Sequence, residues 1–181
     1  MYRRDQQKPL GRTELSHGWE KGIEFVLKIE GGLVNNPADP GGLTKYGISQ
    51  AAYPDLDIAN LTVEQASAIY KKEYWDTCKC DEMPTPIAIA VFDTAVNMGV
   101  KTSVMLLQRS LGVKVDSILG NITLKEAKKA GKTILNRFIV YRIKKYIDII
   151  ENNQKMKEFE FGWLYRVVLL CDLVLEDTIW A

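Results

Sequence analysis

The chain predicts a mainly α-helical domain, interrupted early by a glycine-rich loop or short β-hairpin. Apolar residues recur at helical spacing through most of its length, and Thr62-Val63-Glu64-Gln65 is a capping box that opens a helix. Gly31, Gly32, Gly41, Gly42 and Gly47, together with Pro37 and Pro40, crowd into residues 31–50.

The first helix is expected over residues 14–30. Leu15, Trp19, Ile23 and Val26 step by four, four and three residues along one helix face, and the next step of four lands on Glu30. Residues 31–50 then form a loop, with a hairpin at the Leu43 to Ile48 end. The capping box starts a helix that reaches about Trp75. Thr85 as N-cap with Pro86 at the first helical position begins another, which ends at Gly99. That helix is apolar nearly all round, the mark of a buried centre. Asp93 and Asn97 share one of its faces, and buried polar groups require partners. Asp93 is expected to brace a neighbouring loop and Asn97 to face a cleft. Further helices are expected over 102–111, from a second capping box at Thr123-Leu124-Lys125-Glu126, over 133–151 and over 162–178. Val167 to Leu175 can pack internally or against a second copy.

A length of 181 residues suits one domain, alone or with a small appendage. Lys+Arg 24 against Asp+Glu 23 leaves a net charge of +1, so no basic field points to nucleic acid. Arg3, Arg4, Lys8 and Arg12 belong to a flexible basic tail, residues 1–13. The first fifteen residues lack the apolar segment of a signal peptide, and no run reaches the ~18–20 apolar residues of a membrane span. Synthesis in the cytoplasm without stable membrane insertion is the expectation. Cys78, Cys80 and Cys171 are an odd set, expected as free thiols, and Cys78-Lys79-Cys80 is too tight for a zinc knuckle. His17 is the only histidine, which argues against a zinc amidase and a Cys/His hydrolase; it is expected to be exposed or capping near a helix start. Gly131-Lys132-Thr133 has Glu126 where a phosphate loop requires glycine. No cofactor and no metal are expected.

The chemistry concentrates around Glu30. A carboxyl on a buried stripe loses hydration of its charged form, so it is expected to keep its proton near neutrality, as a general acid must. Asp39 offers a second carboxylate nine residues later, and Thr44 a hydroxyl. The plainer reading makes Glu30 a solvated last-turn residue with Gly31 as left-handed cap, and Asp39 a residue that only caps the turn.

Glu30-Gly31-Gly32, then Asn35, Pro37, Asp39, Gly41-Gly42, Thr44 and Tyr46-Gly47-Ile48 resemble the signature of glycoside hydrolase 108 lysozymes, N-acetylmuramidases found as phage and prophage endolysins, some called secretion activators. Phe92-Asp93-Thr94-Ala95-Val96-Asn97-Met98-Gly99, Leu107-Gln108, Leu111-Gly112-Val113, Val115-Asp116, Gly120 and Thr123 are similar to that family's second half, described as a predicted peptidoglycan-binding domain. Phe161-Gly162-Trp163-Leu164 with Arg166 resembles its C-terminal signature. The sequence departs at Leu33, where an aromatic is usual, at Ser117 in place of glycine, and in lacking a proline near Gly120 to Thr123.

The resemblance implies a lysozyme-like helical fold. A catalytic half over 14–84 would pack as one unit with a second half over 85–181. Its glutamate falls on Glu30, with Asp39 and Thr44 positioning or activating water by analogy with other phage lysozymes. The substrate would be peptidoglycan glycan strands, reached after release from the cytoplasm with the help of a holin or another export route. Tyr46, Tyr74, Trp75 and Asn97 are candidate sugar contacts, although Tyr74 and Trp75 equally suit a core. A carboxyl separation of about 6.5–9.5 Å would mean inversion and about 5 Å retention. A lytic transglycosylase and a non-catalytic wall-binding module remain as alternatives.

Overall fold

A helix that is apolar on every side has to sit where every side is covered. In the computed structural model, which describes residues 12–35 and 42–176 (backbone alone for 12–17 and Asn35), that place belongs to α3, Thr85–Met98. Every residue of α3 from Pro86 to Ala95 is buried. Around it pack α1 (Arg12–Glu30), α4 (Val100–Leu111), α6 (Lys132–Asn152) and α7 (Glu160–Leu175). The short helices α2 (Val63–Tyr70) and α5 (Asn121–Ala127) complete the α-helices among the described residues. None of these helices is long and apolar enough to cross a membrane. Residues 1–11 of the basic tail, the side chains of Leu15 and His17, and the end of the last expected helix lie outside the described residues, while Arg12 and Thr13, expected in the tail, begin α1.

Ile23 and Val26 are buried as the stripe on α1 requires, and Trp19 packs against the core. Glycine on the same helix lets it approach closely. A Cβ on Gly22 would stand 3.3 Å from Phe92 Cδ1 and 3.4 Å from Trp75 Cζ3, so helix, core ring and indole meet with no room for a side chain. Trp19, Trp75 and Phe92 form an edge-on aromatic cluster there, with centroids 5.4–5.5 Å apart. Gly22→Leu should therefore lower stability by about 1–3 kcal/mol through overpacking; an unchanged thermal midpoint would contradict this close approach.

The helix starts divide. Thr62 caps α2 as expected: Gln65 N–H donates to its hydroxyl and Gln65 Oε1 accepts from the Thr62 N–H. Thr85, however, is not the cap of α3. Pro84 holds that position, and its carbonyl accepts from Ala88 N–H, so Thr85 and Pro86 are the first two helical residues. Nor does Thr123 open a helix. Gly120 caps α5, while Thr123 is buried in its first turn, where its hydroxyl accepts from Gln108. Gln108 organises the loop beyond α4: its amide donates to Asp116 and the Ile118 carbonyl, and its oxygen accepts from the N–H groups of Asp116 and Ser117.

The hairpin is larger than expected. β1 (Leu33–Asn35), β2 (Leu43–Lys45) and β3 (Ile48–Ser49) form an antiparallel sheet in sequence order, with Leu33 opposite Lys45 and Lys45 opposite Ile48. Tyr46 and Gly47 link β2 to β3, both with positive φ (52° and 74°), the type I′ geometry that matches strand twist. In α7, Val167, Leu170 and Val174 are buried against the core, so that face of the segment packs internally.

Candidate active site

Gly31 ends α1 in the left-handed conformation (φ 79°), as a C-terminal cap does. Yet Glu30 beside it is not a freely solvated end residue: its side chain is only 23% exposed. The setting is polar rather than the apolar one expected. Arg166 of α7, 136 residues away, donates from Nη1 to Glu30 Oε1 at 2.7 Å. The other oxygen, Oε2, takes no hydrogen bond among the described residues.

Arg166 is itself held. Its Nε donates to Asp93 Oδ1 at 2.8 Å, and the opposite oxygen of Asp93 accepts from Arg142 of α6. Arg142 in turn donates to the Tyr146 hydroxyl, which donates to Asn97. Asp93 therefore braces two helices rather than a loop, and Asn97, half-buried at the end of α3, closes the chain of contacts. Burial opposes charge on Asp93, but the guanidinium groups of Arg142 and Arg166 outweigh it and hold its carboxyl below the usual range. Burial likewise works against the Arg166 guanidinium, and Asp93 and Glu30 more than offset it, so Arg166 is held in its charged form. A charge network this buried fixes geometry because every member needs the others.

The hairpin reaches the same place from the opposite side. A Cβ on Gly47 would lie 2.8 Å from Glu30 Oε2 and 2.7 Å from the Tyr70 hydroxyl. Tyr70 is pinned there by donating to the Tyr46 carbonyl at 2.7 Å. Burial, then the Glu30 charge, push its phenol well above the ordinary value, so it stays a donor. Gly47→Ala combines a positive φ with two contacts too short for carbon. It should cost about 1–3 kcal/mol and displace the Glu30 carboxylate, with activity falling further than stability. Full activity in a destabilised Gly47→Ala protein would separate the hairpin from the site.

Of the other expected site residues, Thr44 lies half-buried on β2 and donates to the Gly42 carbonyl at 3.3 Å. Tyr46 sits in the turn with the Lys45 ammonium 5.6 Å from its ring centroid. Tyr74 is half-buried and, with Gly47 and Tyr70, lines a cavity of about 340 Å³ next to Glu30. Trp75 does not join them. It is 1% exposed, its indole N–H donates to Asp81 at 2.7 Å, and its ring belongs to the core, which corrects its assignment as a sugar contact. Residues Lys71–Trp75 form a π-helical turn, in which Trp75 is buried and Tyr74 lines the cavity. Asp39 lies outside the described residues, so no carboxyl separation follows. Cys78, Cys80 and Cys171 are free thiols. Among the described residues no cluster of histidine, cysteine, aspartate and glutamate could hold a metal ion.

Arg166 and Arg142 are the partners that sequence reasoning missed. The available signal was an arginine set in the apolar run of α7 and an aspartate in the apolar run of α3: buried opposite charges call for each other.

Two family models match in tandem. Residues 23–99 match glycosyl hydrolase 108, and residues 102–168 match the domain described as a predicted peptidoglycan domain. The Glu30–Arg166 pair thus joins one matched segment to the other. Among solved structures the chain is similar to Brucella abortus SagA, with 28% identity and a TM-score of 0.74 over 88% of this chain and 95% of that one. No curated protein sequence matches. Helices gathered on a buried central helix, a small sheet after the first helix and these two matched segments lead to one conclusion: the chain joins a glycosyl hydrolase 108 segment to a predicted peptidoglycan domain and is a peptidoglycan hydrolase of lysozyme-like fold.

Proposed function

We propose that the enzyme is an N-acetylmuramidase that cleaves the β-1,4 bond between N-acetylmuramic acid and N-acetylglucosamine, with Glu30 as general acid. The observation that carries this reading is the division of labour within one carboxyl group. Oε1 is anchored by Arg166, while Oε2 takes no hydrogen bond among the described residues and lies against Gly47, which lines the cavity. A fixed acid with one uncommitted oxygen is what proton delivery to a glycosidic oxygen demands. Asp93 shares Arg166, so the guanidinium is not committed to Glu30 alone.

In this mechanism Glu30 protonates the leaving oxygen as positive charge develops on the sugar ring. Asp39, from the loop, holds the attacking water or stabilises the oxocarbenium-like charge, and Thr44 hydrogen-bonds that water. Tyr46, Tyr74 and Asn97 contact sugars around the scissile bond. Mass analysis of fragments from purified sacculi tests the bond assignment. Fragments ending in a reducing N-acetylmuramic acid are expected. Reducing N-acetylglucosamine ends would make the enzyme a glucosaminidase, and anhydro-muramic ends would replace hydrolysis by transglycosylation.

A further inference from the structure

The buried chain of contacts behind Glu30 ends on an amide, and hydrogen-bond accounting fixes which way that amide points. Tyr146 is 2% exposed, and its ring stacks on Trp163 with centroids 4.9 Å apart. Its hydroxyl accepts from Arg142 Nε at 3.2 Å and from Nη2 at 3.1 Å. Burial pushes the phenol above its ordinary value, more than the guanidinium pulls it down, so the proton stays on. A phenol has one proton to give and accepts through its lone pairs. With those turned to Arg142, only the proton is left for Asn97, and the Asn97 atom that accepts it is Oδ1. Nδ2 makes no hydrogen bond among the described residues. The half-buried amide therefore offers a ligand two donors and no free carbonyl end.

Helix register brings that donor level with the acid. A Cβ on Gly18 would stand 3.3 Å from Thr85 Cγ2, and one on Gly22 3.7 Å from Ile89 Cγ1. The two glycines are four residues apart and so are their partners, so α1 and α3 run side by side in the same direction. Two further steps of four lead from Gly22 to Glu30 and from Ile89 to Asn97. Asp93, one turn before Asn97, shares Arg166 with Glu30. Asn97 does not line the cavity beside Gly47, so its contact with substrate is a separate one.

We propose that Tyr146 is a positioning residue for the cleavage reaction: its hydroxyl fixes the Asn97 amide with the NH2 end free for substrate, where it donates to the carbonyl oxygen of an N-acetyl group. This rests on the reading in which Asn97 contacts sugars around the scissile bond. A sugar hydroxyl both donates and accepts and would need no fixed amide, whereas a carbonyl oxygen only accepts. An amide free to turn over would set oxygen against oxygen, so holding it in advance removes an ordering cost from binding.

The test compares rates on intact sacculi and on sacculi enzymatically stripped of N-acetyl groups. Asn97→Asp keeps an oxygen for the Tyr146 hydroxyl but has no NH2 group. Tyr146→Phe keeps the ring on Trp163 but has no hydroxyl. Each is expected to raise the apparent KM for N-acetylated strands about tenfold, the scale of one hydrogen bond, with kcat within about twofold, as loss of uniform binding requires. Each should also lower the preference for N-acetylated over stripped strands by a similar factor. Tyr146→Phe changes no charge, so agreement between the two variants assigns the loss to the donor. The double variant should lose about as much as Asn97→Asp alone, because both remove one contact. A purely structural role predicts otherwise: aspartate at position 97 still accepts and keeps the preference, and Tyr146→Phe slows both substrates equally. Either result overturns the proposal, as does a wild type without preference; should Tyr146→Phe not fold, Asn97→Asp decides alone. The muramidase reading fails differently. Reducing N-acetylglucosamine ends with an Asn97-dependent preference displace the bond assignment and keep the amide's role, while reducing N-acetylmuramic acid ends without that dependence do the reverse.

Discussion

Arg166→Met should destabilise the enzyme by about 3–5 kcal/mol and abolish most of its activity. The side chain is 7% exposed and joins the last helix to two carboxylates. Methionine keeps much of the volume but leaves Asp93 with Arg142 as its remaining cation, and removing one partner of a buried ion network strands a desolvated charge. Glu30 simultaneously loses the group that orients it, so the variant that still folds should have a lower kcat with little change in KM. Arg166→Lys should recover part of the stability but not the geometry, since an ammonium cannot span both carboxylates as a guanidinium fork does. The pH dependence follows in sign. A depressed Asp93 pKa in the folded state means stability that is fully present above the unfolded value of about 3.9 and is lost as pH falls below it. In Arg166→Met that acid-side loss should shrink, because less of the depression remains. A variant as stable and as active as wild type would show that the network does not support the site.

Much of this arrangement was legible before any coordinates. The spacing of Ile23, Val26 and Glu30 placed the carboxyl at the end of a core-facing stripe, and the apolar run of α3 marked the buried centre. The Thr62 box and the glycine-rich hairpin were local signals with local causes. Gly31 acts as a cap, yet Glu30 is still drawn inward, because a partner far along the chain reaches it. Pairings of that kind have no periodicity in sequence. Asp93 was expected to brace a neighbouring loop; that two helices would each supply an arginine to it was not legible. Trp75 was misplaced for a different reason: Lys71–Trp75 wind as a π turn, with more residues per turn than the α-helix, so 3.6-residue spacing does not tell which of Tyr74 and Trp75 faces inward. β1 is three residues long, too short to stand out, and Thr123 mimics a cap inside a helix that Gly120 begins.

The central claim is that Glu30 delivers the proton that breaks the glycosidic bond. The most direct measurement is the initial rate of reducing-end release from purified sacculi by Glu30→Gln, compared with wild type at equal concentrations of folded protein. Glutamine keeps the shape and can hold a contact with the hairpin, but it has no proton to give and cannot pair with Arg166 as a carboxylate does. A loss of about 10²–10⁴-fold is expected, the range of general acid catalysis, with an unfolding midpoint that moves far less than in Arg166→Met. A Glu30→Gln protein that releases reducing ends at the wild-type rate would contradict the assignment and move the chemistry to another residue.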